Sequence, residues 1–441
     1  MKDLIIIGAG PGGYELAIQA AKHGLSTVLI EADQLGGTCL NHGCIPTKSF
    51  YHAASILKDF QTASDFGITG SCEFDFASML KKKNRIVSEL RDGIRFMVEK
   101  SGAELINGSG KLLSKSQVEV NGTVIEGKTI VLATGSSSAR LPLPGFNLPN
   151  VITSKEILEL DYVPKKLAII GAGVIGIEFA SIFSRFGSQV EVFEALEGIL
   201  PVTDKEISKR LLGYLKAAGI KFHLNAMVSR VEEDHGLKLW YTEKGQENSA
   251  SADVILVAVG RKPNLGNRGL DEAGILYDRR GIKVDANFKT NIDNVYAIGD
   301  VTGQMMLAHS ATFSGYQVLK NLLGESEKID FSVLPSCIFS FPEVASVGLT
   351  EDEAAGMDYK VNKAYFRANG KAATMGETDG FVKIISVSGL IKGVHILGPH
   401  ASDLISEGVV LINKKTSAKE FKDFIHPHPT LSEIFPNALQ D

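Results

Sequence analysis

Residues 4–13 read Leu4-Ile5-Ile6-Ile7-Gly8-Ala9-Gly10-Pro11-Gly12-Gly13, an apolar run that ends in glycines spaced G-x-G-x-x-G. A helix-like segment continues to Lys22 and Gly24 breaks it. A second apolar run, Thr27-Val28-Leu29-Ile30, then leads to Glu31, 18 residues beyond Gly13. This order predicts a strand, a tight turn, a helix, a second strand and an acid. In such a unit the glycines let the backbone close on a pyrophosphate at the helix N-terminus, and the carboxylate receives ribose hydroxyls. The plain alternative is a glycine-rich turn that binds nothing.

The arrangement returns once, which weighs against that alternative. Leu167 to Ile170 run into Gly171, Gly173 and Gly176, and a helix-like stretch reaches Arg185 before a break at Gly187. Val190-Glu191-Val192-Phe193 then end at Glu194, again 18 residues past the third glycine. Two matching units predict two dinucleotide sites on a doubly wound α/β fold. Glu194 suits the free 2′-hydroxyl of NAD and repels the 2′-phosphate of NADP, and Ala195 to Val202 contain no Arg or Lys.

Composition narrows the function classes. At 441 residues the chain exceeds one ordinary domain, and about 100 to 200 residues per domain suggests three or four. The 44% hydrophobic and 22% charged content is that of a globular protein without long disordered tails. A net charge of −5 argues against a sequence-independent grip on nucleic acid. The apolar start is too short for a signal peptide or membrane span, and no other stretch could cross a bilayer. Four cysteines are too few for a secreted disulfide scaffold, so a reducing, cytoplasmic setting is expected. No metal site is expected.

Two of those cysteines are close together, in Gly36-Gly37-Thr38-Cys39-Leu40-Asn41-His42-Gly43-Cys44-Ile45-Pro46-Thr47-Lys48. The paired glycines and the helix-friendly run after Pro46 predict that both sulfurs lie near a helix start, where the positive dipole end favours the thiolate that exchange chemistry needs. A structural disulfide and half a zinc site are the other readings, the latter lacking a second C-x-x-C or a His cluster. Cys72 and Cys337 belong to neither pattern and read as buried or incidental thiols. Near the C-terminus stands His426-Pro427-His428-Pro429-Thr430-Leu431-Ser432-Glu433. Its residues allow either a solvated loop histidine or a base, His428, oriented by Glu433.

The cysteine segment resembles the redox-active stretch of the pyridine nucleotide-disulfide oxidoreductases. The likeness continues through Ala133-Thr134-Gly135, through Val259-Gly260-Arg261-Lys262-Pro263-Asn264, and through Thr290 to Tyr296-Ala297-Ile298-Gly299-Asp300, so it spans essentially the whole chain. It implies one non-covalent FAD per subunit and NAD. For FAD it implies Gly8, Gly10, Gly13, Glu31, Thr38, Lys48, Gly110, Thr134, Gly135, Ser136, Asp300 (on the ribityl chain), Met306, Leu307, Ala308 and His309. For NAD it implies Gly171, Gly173, Gly176, Glu178, Glu194, Val228 and Gly260. Lys48, paired with Glu178, is expected beside the flavin; a mere surface ion pair is the other reading. The resemblance further implies that Cys39 and Cys44 form the redox pair and that a His428/Glu433 acid/base reaches the cysteines of the other subunit, in a homodimer.

Within the family, the His-Pro-Thr-Leu-Ser-Glu run, the NAD-type acid and Gly171 to Gly176 resemble the NAD-linked branch that oxidises dihydrolipoamide through the redox disulfide. That branch serves 2-oxo acid dehydrogenase or glycine cleavage systems. The partner is then a lipoyl-bearing domain on a separate chain, with a small-molecule dithiol as the simpler substrate. A glutathione-reductase-like enzyme is the runner-up, and a redox-inert FAD/NAD-binding module the alternative from another class. Mercuric and large thioredoxin reductases carry a C-terminal cysteine pair, whereas no cysteine follows Cys337. His42, Pro427, Pro436 and the short chain depart from the family pattern. The expected architecture has two Rossmann-like domains and a C-terminal α/β interface domain. Its limits are residues 1–143 for the first part of the FAD domain, 144–264 for the NAD domain, 265–333 for a segment completing the FAD site and 334–441 for the interface domain.

Overall fold

A computed structural model describes residues 1–233, 235–266 and 268–440. The first strand, β1 (Lys2–Ile7), is buried over its last four residues, as a central parallel strand covered on both faces must be. It feeds α1 (Pro11–Lys22), which places Pro11 in its first turn where the missing N–H goes unused. β2 (Thr27–Glu31) pairs parallel to β1. Next come α2 (Gly37–His42), α3 (Cys44–Thr62) and α4 (Phe76–Ser101). β3 (Glu104–Asn107) extends the sheet beyond β2. β4 (Lys111–Ser114), β5 (Gln117–Val120) and β6 (Thr123–Leu132) form a meander, and β6 returns parallel to β1 on its other side.

The second unit is laid out alike. After β7 (Ser136–Ser138) and β8 (Val151–Thr153) come β9 (Lys166–Ile170), α5 (Val174–Arg185), β10 (Gln189–Glu194), α6 (Lys205–Ala217) and β11 (Lys221–Leu224). A three-stranded antiparallel sheet, β12 (Ala226–Glu233), β13 (Leu237–Glu243) and β14 (Gln246–Ala252), covers one face. β15 (Val254–Val257) completes a parallel sheet of order β11-β10-β9-β15-β8. The repeated fingerprint therefore does build two parallel α/β units.

The chain then runs back. β16 (Arg261–Pro263) pairs antiparallel with β7, β17 (Tyr277–Asp278) and β18 (Gly281–Ile282) form a small hairpin, and β19 (Val295–Ala297) joins the first sheet beside β6. α7 (Ala308–Leu323) lies on α1 so closely that a Cβ on Gly12 would stand 2.7 Å from the Ala311 carbonyl oxygen. The last part is a five-stranded antiparallel sheet, built from β20 (Ser336–Ile338), β21 (Glu343–Gly348), β22 (Tyr359–Tyr365), β23 (Phe381–Val387) and β24 (Leu390–Gly398). With it go α8 (Glu351–Ala354), α9 (Gly370–Met375), α10 (Ala401–Asn413), α11 (Ala418–Phe421) and α12 (Ile434–Ala438).

Two contacts fix how these parts meet. Phe50 of α3 packs against Phe183 and the following Phe186 of the α5 region, with ring centroids 6.3 and 5.9 Å away, so the cysteine-bearing helix rides on the helix of the second unit. Lys383 of β23 is 1% exposed and bonds Asp204 at the cap of α6 (3.0 Å) and Glu351 of α8 (2.5 Å), tying the last sheet to the second unit. Among the described residues no helix is long and apolar enough to cross a membrane.

Candidate active site

A cavity of about 830 Å³ opens where the first unit, the cysteine segment, the start of α5 and the start of α7 converge. All the positions that the resemblance assigns to FAD line it, from Gly8, Gly10, Gly13 and Glu31 through Thr38, Lys48, Gly110, Thr134, Gly135 and Ser136 to Asp300, Met306, Leu307, Ala308 and His309. Cys39, Cys44 and Glu178 share the wall. Gly13 makes the turn possible: a Cβ there would lie 1.9 Å from the Gly8 oxygen. Glu31 accepts from the N–H groups of Ala9 (2.7 Å) and Asp33 (2.8 Å), which leaves lone pairs on both oxygens for hydroxyl donors.

The cysteine segment is two helices. Cys39 sits within α2, Gly43 separates the two, and Cys44 is the first residue of α3. Both are free thiols and their sulfurs are hydrogen-bonded to each other. Cys39 donates: the bond to Cys44, reinforced by burial, pushes its thiol up. Cys44 accepts, and that bond, aided by Lys48 against the cost of burial, brings it down to about 7. The position at the start of a 19-residue helix favours the same charge. One sulfur of the pair is thus poised as thiolate while the other keeps its proton.

Lys48 reaches from the second turn of α3 to both oxygens of Glu178 on α5 (3.0 and 3.2 Å). Glu178 is 6% exposed, so this is no surface pair. The Phe339 N–H also donates to Glu178 at 3.0 Å, and the Phe339 ring lies 4.2 Å beneath the Lys48 ammonium. Tyr51, one turn further along α3, stacks on Phe341 at 4.6 Å and donates to Glu343 at 3.0 Å.

Several wall residues carry no assignment from the sequence. Arg261 donates from Nε to the Ser136 hydroxyl (2.7 Å) and from a terminal nitrogen to the Ser136 carbonyl (2.8 Å), and Ser136 in turn donates to Asp300. Burial pushes the Arg261 pKa down, against the pull of Asp300. Arg261 is the cation of the Gly260-Arg261 motif, and the pairing of β16 with β7 brings it to Ser136; a long-range register of that kind leaves no local signal. Cys337 lines the same cavity, half-buried, whereas Cys72 is exposed and stands outside it. Cys337 is pushed up to about 11 by burial.

The NAD positions lie apart. Of them only Glu178 lines the cavity. Gly176 closes its turn as Gly13 does, with a Cβ 2.0 Å from the Gly171 oxygen, and Glu194 accepts from Ala172 N–H at 2.7 Å and Leu196 N–H at 2.9 Å. Gly173 opens α5 as its extended N-cap, and Gly260 is exposed just past β15. Val228 lies in β12, buried in the cluster that holds Phe146 and Tyr241, and can offer a ligand only its main chain. His428 and Glu433 are paired, Nδ1 to Oε1 at 2.8 Å, yet they do not line this cavity within one chain. Glu433 also accepts from Thr430 N–H at 2.8 Å; that bond first, then His428, holds its carboxyl below the usual range.

The cavity wall fits a dinucleotide. The buried side-chain polar atoms without a partner among the described residues are Asn41 Oδ1, His42 Nδ1 and Arg268 Nε, and all three residues line this cavity. Unsatisfied buried groups are rare in folded proteins. Here they surround a space floored by glycine, with nothing within 4 Å of a Cβ on Gly10 or Gly135.

Comparison with known proteins places this geometry. Residues 2–315 match the family described as pyridine nucleotide-disulphide oxidoreductase, and residues 334–439 match its dimerisation domain. The chain belongs to this family. FAD and NAD are its cofactors, and the dimerisation domain makes it a homodimer. It is 43% identical to the dihydrolipoyl dehydrogenase of Chlamydia muridarum, over 98% of this chain and 95% of that one. It is 40% identical to that of Cupriavidus necator, over 99% and 97%. Among solved structures, the HOCl-induced flavoprotein disulfide reductase RclA of Escherichia coli superposes with a TM-score of 0.90 at 30% identity, covering 99% of both chains. LpdA of Mycobacterium tuberculosis superposes at 0.93 with 25% identity, over 100% of this chain and 99% of that one.

Proposed function

We propose that this family member oxidises dihydrolipoamide with NAD, in the cytoplasm, on a lipoyl-bearing domain of a separate protein. The observation that carries the reading is the thiol pair Cys39/Cys44 in one cavity with the Lys48–Glu178 bridge that joins the two dinucleotide units. Relatives named dihydrolipoyl dehydrogenase across nearly the whole chain support the substrate, and Glu194 supports NAD over NADP. FAD, held by the residues that line the cavity, and NAD, held at the second fingerprint, supply the two-electron path from the reduced thiol pair to nicotinamide.

The chain's own residues do the sulfur chemistry. With the pair oxidised to a disulfide, Nε2 of His428 in one protomer takes a proton from a substrate thiol at the other protomer's cavity. The resulting thiolate attacks Cys39 Sγ, breaking the Cys39–Cys44 bond and leaving the charge on Cys44, the sulfur whose setting favours thiolate. The second substrate thiol then attacks the first substrate sulfur, its proton passing to Cys39 as that sulfur departs, and the substrate leaves as a disulfide with two electrons left on the pair. Glu433 keeps the His428 ring oriented and stabilises its protonated form.

His428→Gln tests the assignment. The variant should retain FAD and lose dihydrolipoamide turnover by on the order of 10²- to 10⁴-fold, the worth of a positioned general base, while NADH still reduces ferricyanide, which bypasses the dithiol. Full turnover in His428→Gln would remove the base. Faster reduction by NADPH than by NADH would promote a glutathione-reductase-like activity instead.

A further inference from the structure

The segment between α11 and α12 carries two histidines two positions apart, and they are held in opposite ways. His428 uses one ring nitrogen on Glu433 and leaves its side chain 77% exposed. His426 is 9% exposed and uses both: Nδ1 lies 3.0 Å from the Phe424 carbonyl oxygen, and Nε2 lies 2.7 Å from Glu407 Oε1 on α10. Both neighbours are acceptors, so only the doubly protonated ring donates to each. Phe421 meets the ring edge-on, centroids 5.7 Å apart at 82°, which sets its plane. The charge of Glu433 is felt by both His428 and His426.

No helix or strand covers residues 422–433, so side-chain ties decide where His428 stands. On its C-terminal side Asn369 Nδ2 donates to the Thr430 carbonyl at 3.0 Å. On its N-terminal side the tie is His426 to Glu407. We propose that His426 and Glu407 are a positioning pair, anchoring this segment to α10 so that the His428 imidazole is presented at a fixed place for proton transfer. The inference rests on His428 being the base. It gives the first histidine of the segment a role that its sequence register alone denies it. A displacement of roughly 1 Å at a reacting group can cost on the order of 10²-fold in rate.

The test uses the purified homodimer with FAD bound, and the variants His426→Leu, Glu407→Ala, the double variant and Glu407→Gln. The kcat for dihydrolipoamide should fall about 10- to 100-fold in His426→Leu and in Glu407→Ala, with KM for NAD unchanged and ferricyanide reduction by NADH within about twofold of wild type. The double variant should be no worse than the poorer single one, the signature of two residues acting as one unit. Glu407→Gln, which keeps an acceptor oxygen, should recover most of the loss.

Wild-type kcat in His426→Leu and Glu407→Ala, with His428→Gln inactive, overturns the positioning pair and leaves the base standing. An equal fall in both activities means a structural role and overturns it too. Full activity in His428→Gln, or no dihydrolipoamide activity in the wild type, strikes the functional reading itself.

Discussion

The two dinucleotide units are close copies at their turns and differ in what their helices meet. Gly8 and Gly171 have φ of 108° and 102°, Gly10 and Gly173 cap their helices in nearly identical extended conformations, and each helix is 12 residues long. Glu31 and Glu194 reach back to the same N–H in the turn, both at 2.7 Å. Glu15 and Glu178 hold the same position in the two helices, yet Glu15 accepts a 3.3 Å bond from Tyr316 of α7 whereas Glu178 takes Lys48 of α3. Identical local chemistry thus becomes a helix contact in one unit and a wall of the cavity in the other. What a fingerprint does beyond its turn is decided by its tertiary neighbours.

The hardest way to break this comparison is at the turns. Gly13→Val should abolish flavin binding, read as the flavin-to-protein ratio after purification, because its Cβ would sit 1.9 Å from the Gly8 oxygen. Gly176→Val faces the same clash at 2.0 Å but should keep its flavin and lose reduction by NADH. Loss of both functions in both variants would mean that the units do not act separately.

A smaller effect is expected at Gly12, where the units diverge. The second unit already carries Ile175 at that place, but α7 leaves no room on α1, so Gly12→Ala should destabilise the protein by about 1–3 kcal/mol as an overpacked contact. Urea unfolding of the FAD-loaded protein would measure it, and an unchanged midpoint would show that α7 can shift at no cost.

The cysteine segment that joins the units titrates in a predictable direction. Cys44 is held below the usual thiol range, so its thiolate is present above about 7 and is lost as pH falls through that value. Cys39→Ala removes the donated hydrogen bond and leaves burial to oppose the charge. The midpoint should rise by about one unit, roughly tenfold less thiolate at neutral pH, followed by ultraviolet thiolate absorbance of the reduced protein. A midpoint that stays put would assign the charge to Lys48 and the helix terminus alone.

The gentlest change is at the acids. Glu194→Ala should raise KM for NADH by a few-fold, the worth of about 0.5–1.5 kcal/mol for a hydrogen bond exchanged against water, and lower KM for NADPH, whose 2′-phosphate it repels. An equal rise for both would deny Glu194 any part in choosing between the cofactors.

Much of this was legible beforehand because its causes are local. The glycine spacing, the buried parallel strands, the acid at each strand end and a helix start near the two cysteines all follow from interactions within about thirty residues, where chain connectivity limits the options. The ends of α1 and α5 at Lys22 and Arg185 agree with the sequence reading to the residue. The bridge from Lys48 to Glu178 spans 130 positions and the Arg261–Ser136–Asp300 chain as many as 164. Resemblance alone suggested the first, and nothing suggested the role of Arg261.

The sequence by itself determined two glycine-turn α/β units and marked a close cysteine pair and a His/Glu spacing, since each is written in a short stretch, while resemblance supplied the redox and base roles. Only the tertiary structure decided which unit's helix faces the cysteines, that the two thiols are buried beside Lys48, and that His426 is buried against Glu407 while His428 is exposed. Those outcomes depend on burial and on partners far away in the chain, and side-chain geometry across such distances is set when the sheets and helices pack.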